Sequence, residues 1–224
     1  MHILDQLVNE RHLLNHPFYQ RWMAGTLTFK ELQRYVVNYY PHVSAFPTYV
    51  SAVHSQCSDL KTRQALLENL IEEERGEENH PELWLRFGEA LGLTRSDIEE
   101  TKSLPVAREL VETFKKLTRK GFASGLGALY AYESQVPSVA QQKIEGLKKH
   151  YGISNAHGLK FFEVHRKADQ FHSETERMAF DLLSQEEKQE ACEAAQEAGL
   201  ALWNFLSGLD RVEGKSNSCA SMMT

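Results

Sequence analysis

Glu163-Val-His-Arg-Lys-Ala-Asp-Gln-Phe-His172 decides how the rest of this chain is read. His165, Asp169 and His172 fall at i, i+4 and i+7. On a helix turning about 100° per residue they lie within roughly 60° of arc, so one face carries two imidazoles and a carboxylate. That is part of an octahedral metal site, or most of half a dinuclear one, supplied by a single helix. A solvated polar face would carry the same residues, so the question is whether the chain supplies further ligands.

Two other segments place ionisable groups among apolar ones. In Ala131-Tyr132-Glu133-Ser134 a carboxylate follows Ala128, Leu129 and Ala131. Burying it without a cation would cost several kcal/mol, which a metal would resolve; a Glu exposed just before Pro137 is the plainer alternative. The second segment is Glu72 to His80. Glu77 and His80 form Glu-x-x-His, the spacing of di-iron carboxylate bundles, while Glu73 lies seven residues before His80. Gly76 and Pro81 make an unbroken helix doubtful there, so spacing does not choose between Glu73 and Glu77. Mixed imidazole and carboxylate ligation without thiolate suits iron or manganese, and also zinc.

Apolar residues recur at three and four spacing almost throughout, which predicts an all-α fold: a helical bundle of about seven to nine helices in one domain over residues 1–208. Pro17 opens a short helix carrying Phe18, Tyr19 and Trp22, and Gly25 closes it. Thr28 and Glu31 form a capping box at the head of a long helix to about Gln56, where Pro41 and Pro47 predict kinks. Tyr35, Tyr39, Tyr40, His42, Phe46, Tyr49 and His54 give that helix the aspect of either an aromatic core or a cavity wall. The small residues from Gly121 to Gly127 allow close helix packing. With no strand before them and no Lys-Ser/Thr after them, they do not form a phosphate loop. Lys143 sits on the helix after Pro137, and the metal-face helix runs from about Asn155 to Leu183. The last helix is expected over about Gln185 to Gly208, followed by a disordered tail at 209–224.

Composition narrows the function. Apolar residues make up 42% and charged residues 25% of 224, with a net charge of −6. The acidic balance and the lack of a basic stripe argue against nucleic-acid binding. No apolar run approaches the ~18 residues of a membrane span, and the N-terminus has no signal-peptide pattern. Cys57, Cys192 and Cys219 are far apart, which predicts a cytoplasmic protein without disulfides.

Asn69-Leu-Ile-Glu-Glu-Glu…Asn79-His80, Tyr130-Ala-Tyr132-Glu133-Ser134-Gln135-Val-Pro137 and His165-x3-Asp169-x2-His172 together resemble the chlamydial protein associating with death domains and its bacterial relatives, within the haem-oxygenase-like, TenA/PqqC-like superfamily. The likeness extends to Asn15-His16-Pro17-Phe18-Tyr19-x2-Trp22 and Tyr39-Tyr40-x-His42-x3-Phe46-Pro47, nearly the whole chain. It implies two metal ions, Fe/Fe or Fe/Mn, on Glu73, His80, Glu133, His165, Asp169 and His172, and so prefers Glu73 over Glu77. It also implies an oxygen-dependent synthesis of para-aminobenzoate for folate, driven by dioxygen and a reductant. In that synthesis Tyr19 would be cleaved to give the ring and Lys143 would donate the nitrogen, with Tyr132 as a candidate redox relay. On residue type alone, Tyr19 would simply pack beside Trp22, and Lys143 would be a surface lysine. Three rivals remain. The same site could oxidise an external small molecule or fatty acid, Cys57 could be the nucleophile of a TenA-like thiamin-degrading enzyme, or the chain could be a helical interaction protein. By analogy with the superfamily a homodimer is expected.

Overall fold

Thr28 and Glu31 close the expected capping box. Thr28 Oγ1 accepts from the Glu31 amide at 3.2 Å, and Glu31 Oε2 accepts from the Thr28 amide at 2.7 Å. From this cap α3 (Phe29–Gln56) runs continuously through Pro41 and Pro47. Each internal proline costs about 3 kcal/mol. Burial of Tyr35, Tyr39, His42, Phe46 and Tyr49 along one side of the helix offsets that.

The computed structural model describes residues 2–216; the side chains of residues 167–171 and 210–216 lie outside the described residues, as do residues 217–224 altogether. Among the described residues there are eleven α-helices and no strand. Besides α3 they are α1 (Ile3–Glu10), α2 (Pro17–Ala24), α4 (Leu60–Glu74), α5 (His80–Ala90), α6 (Arg95–Glu99), α7 (Pro105–Lys120), α8 (Phe122–Glu133), α9 (Val136–His150), α10 (Ala156–Asp181) and α11 (Gln185–Ser216). The number exceeds the expected seven to nine, short pieces such as α6 standing as separate helices. No helix among the described residues is long and apolar enough to cross a membrane.

Helix α8 is the centre of the bundle, buried from Ala123 through Glu133. Helix α11 packs along it, with α7, α10 and α3 around the remaining sides. The small-residue run makes this possible: a Cβ on Gly127 would stand 2.0 Å from the Ala191 carbonyl oxygen of α11. Helix α11 corrects one expectation. It does not stop at Gly208 but continues to Ser216, so residues 209–216 are helical rather than a tail. Leu206 and Leu209, both buried, hold the helix on the bundle across the glycine. The rest of the expected tail, 217–224, lies outside the described residues.

Gly127→Ala is expected to lower the free energy of unfolding by about 1–3 kcal/mol, because the clash is with backbone that cannot rotate away. An unchanged urea midpoint would contradict the close α8–α11 approach.

Candidate active site

Helix α4 ends at Glu74, and the chain turns through Gly76, whose φ of +83° is a left-handed conformation that favours glycine. Asn79 then caps α5, its side chain accepting from the Glu82 amide. Glu73, in the last turn of α4, and His80, at the first position of α5, therefore face each other across a turn. No single helical face carries both. His80 Nδ1 lies 2.8 Å from Glu73 Oε2 with both side chains about 5% exposed. Glu77 sits in the turn itself and is exposed.

His165 of α10 completes the group. Its ring centroid is 4.1 Å from that of His80, and Glu73, His80 and His165 each offer one ligand atom within 4.8 Å of the others. His165 Nδ1 donates to the Phe161 carbonyl at 2.7 Å. A carbonyl only accepts, so this fixes the tautomer and leaves Nε2 as the ring's lone-pair nitrogen. Burial, and then the neighbouring His80, hold the His165 pKa well below the usual imidazole range. The ring is neutral, the form that binds metals.

Glu133, at the end of α8, is 1% exposed. Its Oε1 accepts from Asn69 Nδ2 at 2.9 Å, while no protein donor reaches Oε2. Burial raises its pKa; His172 and hydrogen bonds to Glu176 and Asn69 pull it down, and the charge of Glu73 pushes it up. His172 is buried, with Nε2 3.5 Å from Glu72 Oε2. A buried set of imidazoles and carboxylates, one carboxylate oxygen of which meets no donor, fits a divalent transition metal in its donor chemistry. The backbone of Asp169 belongs to α10, but its side chain lies outside the described residues.

A cavity adjoins His165. Tyr19, Tyr39, Tyr132, Lys143, Phe161, Phe162 and His165 are among the residues that line it, and its volume is about 20 Å³. It is walled by aromatic rings, as the long aromatic helix allowed. Lys143 is not a surface lysine: it is 5% exposed, with Nζ 5.0–6.0 Å from the ring centroids of Tyr35, Phe162, Tyr19, Tyr39, Trp84 and Trp22. Nζ donates to the Tyr35 hydroxyl at 2.7 Å, and that hydroxyl also bonds the Tyr19 hydroxyl at 3.3 Å. Burial lowers the Lys143 pKa to about 7 and raises that of Tyr19, so the amine is substantially neutral near neutral pH and the phenol keeps its proton.

The segment that carries Tyr19 is held from two sides. Gln135 Oε1 accepts from the Leu13 amide at 2.8 Å. His16 caps α2 through Nδ1, which accepts from the Phe18 amide, and its Nε2 donates to Ser207 Oγ of α11 at 2.9 Å. Cys57 stands elsewhere, at the end of α3, and does not line this cavity. Sequence reasoning missed Glu176 and the bridging part of Tyr35. The first was visible as a further i+4 step after His172. The second had no signal beyond membership of the aromatic face.

The helical architecture and the buried imidazole–carboxylate group define a haem-oxygenase-like protein with a metal-competent centre. The sequence model of a family described as "Iron-containing redox enzyme" matches residues 33–204, and the chain belongs to that family. A 4-aminobenzoate synthase of Chlamydia muridarum is 41% identical over 204 residues, covering 91% of this chain and 86% of that protein. A 4-aminobenzoate synthase of Nitrosomonas europaea is 40% identical over 232 residues, covering 98% and 92%. A solved structure from Shewanella denitrificans, described as a domain of unknown function with a heme oxygenase-like fold, superposes with a TM-score of 0.78 at 20% identity, covering 97% of this chain and 93% of that one. The expected fold and family are thus met.

Lys143→Met keeps the length of the side chain and removes the amine. It is expected to stabilise the protein at pH 7 by about 1–3 kcal/mol, the ring faces having offset part of the cost of burying the amine. The folded-state pKa of about 7 lies below the ordinary 10.5. The unfolded chain therefore binds the extra proton between those values. The advantage of the variant should be full below about pH 7 and shrink as pH rises towards 10. Urea titrations of both proteins across that range measure it, and a gap that fails to narrow would contradict the buried amine.

Proposed function

We propose that this chain is a 4-aminobenzoate synthase that consumes its own Tyr19 and Lys143. The observation that carries this is the shared Tyr35 hydroxyl, which bonds the Tyr19 hydroxyl at 3.3 Å and the Lys143 amine at 2.7 Å. In 4-aminobenzoate the nitrogen occupies the ring carbon where tyrosine carries oxygen. Tyr35 holds the amine beside that end of the Tyr19 ring, and the rings around Nζ favour a desolvated nucleophile. The name of the C. muridarum and N. europaea relatives supports the product.

In this proposal Glu73, His80, Glu133, His165, Asp169 and His172 hold an Fe/Fe or Fe/Mn pair, which supplies the dioxygen activation that side chains lack. The protein's own groups do the rest. His165 lies both in the ligand group and on the cavity wall, so Tyr19 and Tyr132 share a cavity with the metal side. Tyr132, adjacent to Glu133 in sequence and on the wall of the same cavity, would pass an electron and a proton between the centre and the cavity. Phe161, Phe162 and Tyr39 keep water from Lys143. An external reductant completes the electron supply.

The cavity volume favours self-sacrifice over an external substrate. About 20 Å³ accommodates roughly one water molecule, far too little for an added aromatic acid or a fatty acid.

The test is isotope tracing. Protein made with ring-labelled tyrosine and side-chain 15N lysine is purified free of amino acids, then given iron, manganese, reductant and dioxygen. Doubly labelled 4-aminobenzoate at no more than one equivalent per chain is expected. Unlabelled product, or many turnovers per chain, would overturn the proposal.

A further inference from the structure

Tyr19 and Lys143 are each followed, three residues on, by a residue with no part in the reaction proposed above: Trp22 on α2 and Gly146 on α9. Residues three apart are neighbours on one face of a helix, so a contact between positions 22 and 146 fixes how 19 faces 143. The two helices pack against each other, and that contact is made. A Cβ on Gly146 would stand 2.7 Å from Trp22 Cδ1, 2.8 Å from Nε1 and 3.2 Å from the Trp22 carbonyl oxygen. Only glycine admits the indole at this distance. Glycine inside a helix weakens it relative to alanine, so the close approach is made at a cost to α9.

The indole has nowhere to turn. Trp22 is 0% exposed, and the rings of Phe18, Tyr19, Tyr35 and Tyr151 stand 5.9–6.4 Å away, centroid to centroid. A buried indole N–H needs an acceptor. Trp22 Nε1 finds it at 3.4 Å in the carbonyl oxygen of Lys143 itself. A carbonyl oxygen has two lone pairs, so it serves the helix and the indole together. Plain core packing asks for an apolar ring at position 22. It does not call for a donor aimed at the backbone of the residue that carries the amine. His16 holds the head of α2 to α11 through Ser207, so the helix is fixed at both ends with Tyr19 between.

We propose that Trp22 and Gly146 are positioning residues that lock α2 against α9 in the register that sets the Tyr19 ring beside the Lys143 amine. The lock rests on Tyr19 and Lys143 being the reactants proposed above.

The experiment is a single round of reaction of the labelled full chain with iron, manganese, reductant and dioxygen, read as 4-aminobenzoate formed per dioxygen consumed. A variant that merely folds less well loses product and dioxygen uptake in equal proportion, which leaves the ratio unchanged. Gly146→Ala, with its fold checked by circular dichroism, should lower the ratio at least about tenfold while dioxygen is still consumed, because a positioned reaction is sensitive to misplacement of about 1 Å. In the metal-free protein the Trp22 indole N–H, identified by its loss in Trp22→Phe, should exchange with deuterium at least about tenfold faster in Gly146→Ala than in the wild type. Trp22→Phe keeps a ring and removes the donor, and should lower the ratio as well. The double variant should fall no further than the worse single one, as expected of residues that act as a unit. A folded Gly146→Ala with the wild-type ratio or wild-type indole exchange would overturn the lock alone, as would losses in the single variants that multiply in the double. If Gly146→Ala does not fold, Trp22→Phe decides: a lowered ratio supports the lock and an unchanged ratio overturns it. Wild-type product lacking either label would overturn the lock together with the self-sacrifice on which it rests.

Discussion

Glu73 and His80 meet at 2.8 Å with almost no exposure, and the cost of keeping such groups dry shapes the rest of the structure. An unpaired buried carboxylate costs several kcal/mol, and removing one partner of a buried pair exposes that cost in full. The chain nevertheless buries Glu73, Glu133, Glu176, His80, His165 and His172, and Lys143 as well. It supports them with a core of aromatic rings and a central helix that α11 approaches at backbone distance. Such a concentration of ionisable groups opposes stability. It is consistent with a centre whose charge is balanced by metal ions and whose free energy is spent on function.

The two sides of His165 have opposite characters. Towards α4, α5 and α8 the groups are carboxylates and imidazoles, suited to divalent cations. Towards α2, α3 and α9 they are phenols, ring faces and one amine depressed to a pKa of about 7. The ring faces around Lys143 stabilise its charged form somewhat, while their bulk excludes the water that would stabilise it more. Tyr35 joins the amine to the Tyr19 phenol by buried hydrogen bonds, beside a cavity of about 20 Å³. The same closure leaves little room for a diffusible aromatic substrate.

The parts that could be read from sequence are those a regular helix dictates. His165 and His172 share a face because α10 is unbroken, and Pro17, Thr28 and Pro105 mark helix starts through local chemistry. Glu73 could not be chosen over Glu77 by spacing, since its approach to His80 is made across the Gly76 turn and not along a helix. Lys143 was illegible for another reason. Its helix also carries Lys148 and Lys149, exposed near its end, and nothing local distinguishes a lysine aimed inward from these. Gly208 misled because glycine often ends helices, whereas here the flanking leucines keep the helix packed. Glu176 was within reach of the same spacing that revealed His165 and His172, one helical step further on.

The central claim is that Tyr19 and Lys143 are reactants. The most direct measurement is peptide mass spectrometry of the protein recovered after a single round of product formation with iron, manganese, reductant and dioxygen. The account predicts that the peptide containing Tyr19 loses the mass of its side chain and that the peptide containing Lys143 is altered at its amine, both in proportion to the 4-aminobenzoate formed. Both peptides recovered unchanged alongside product would contradict it.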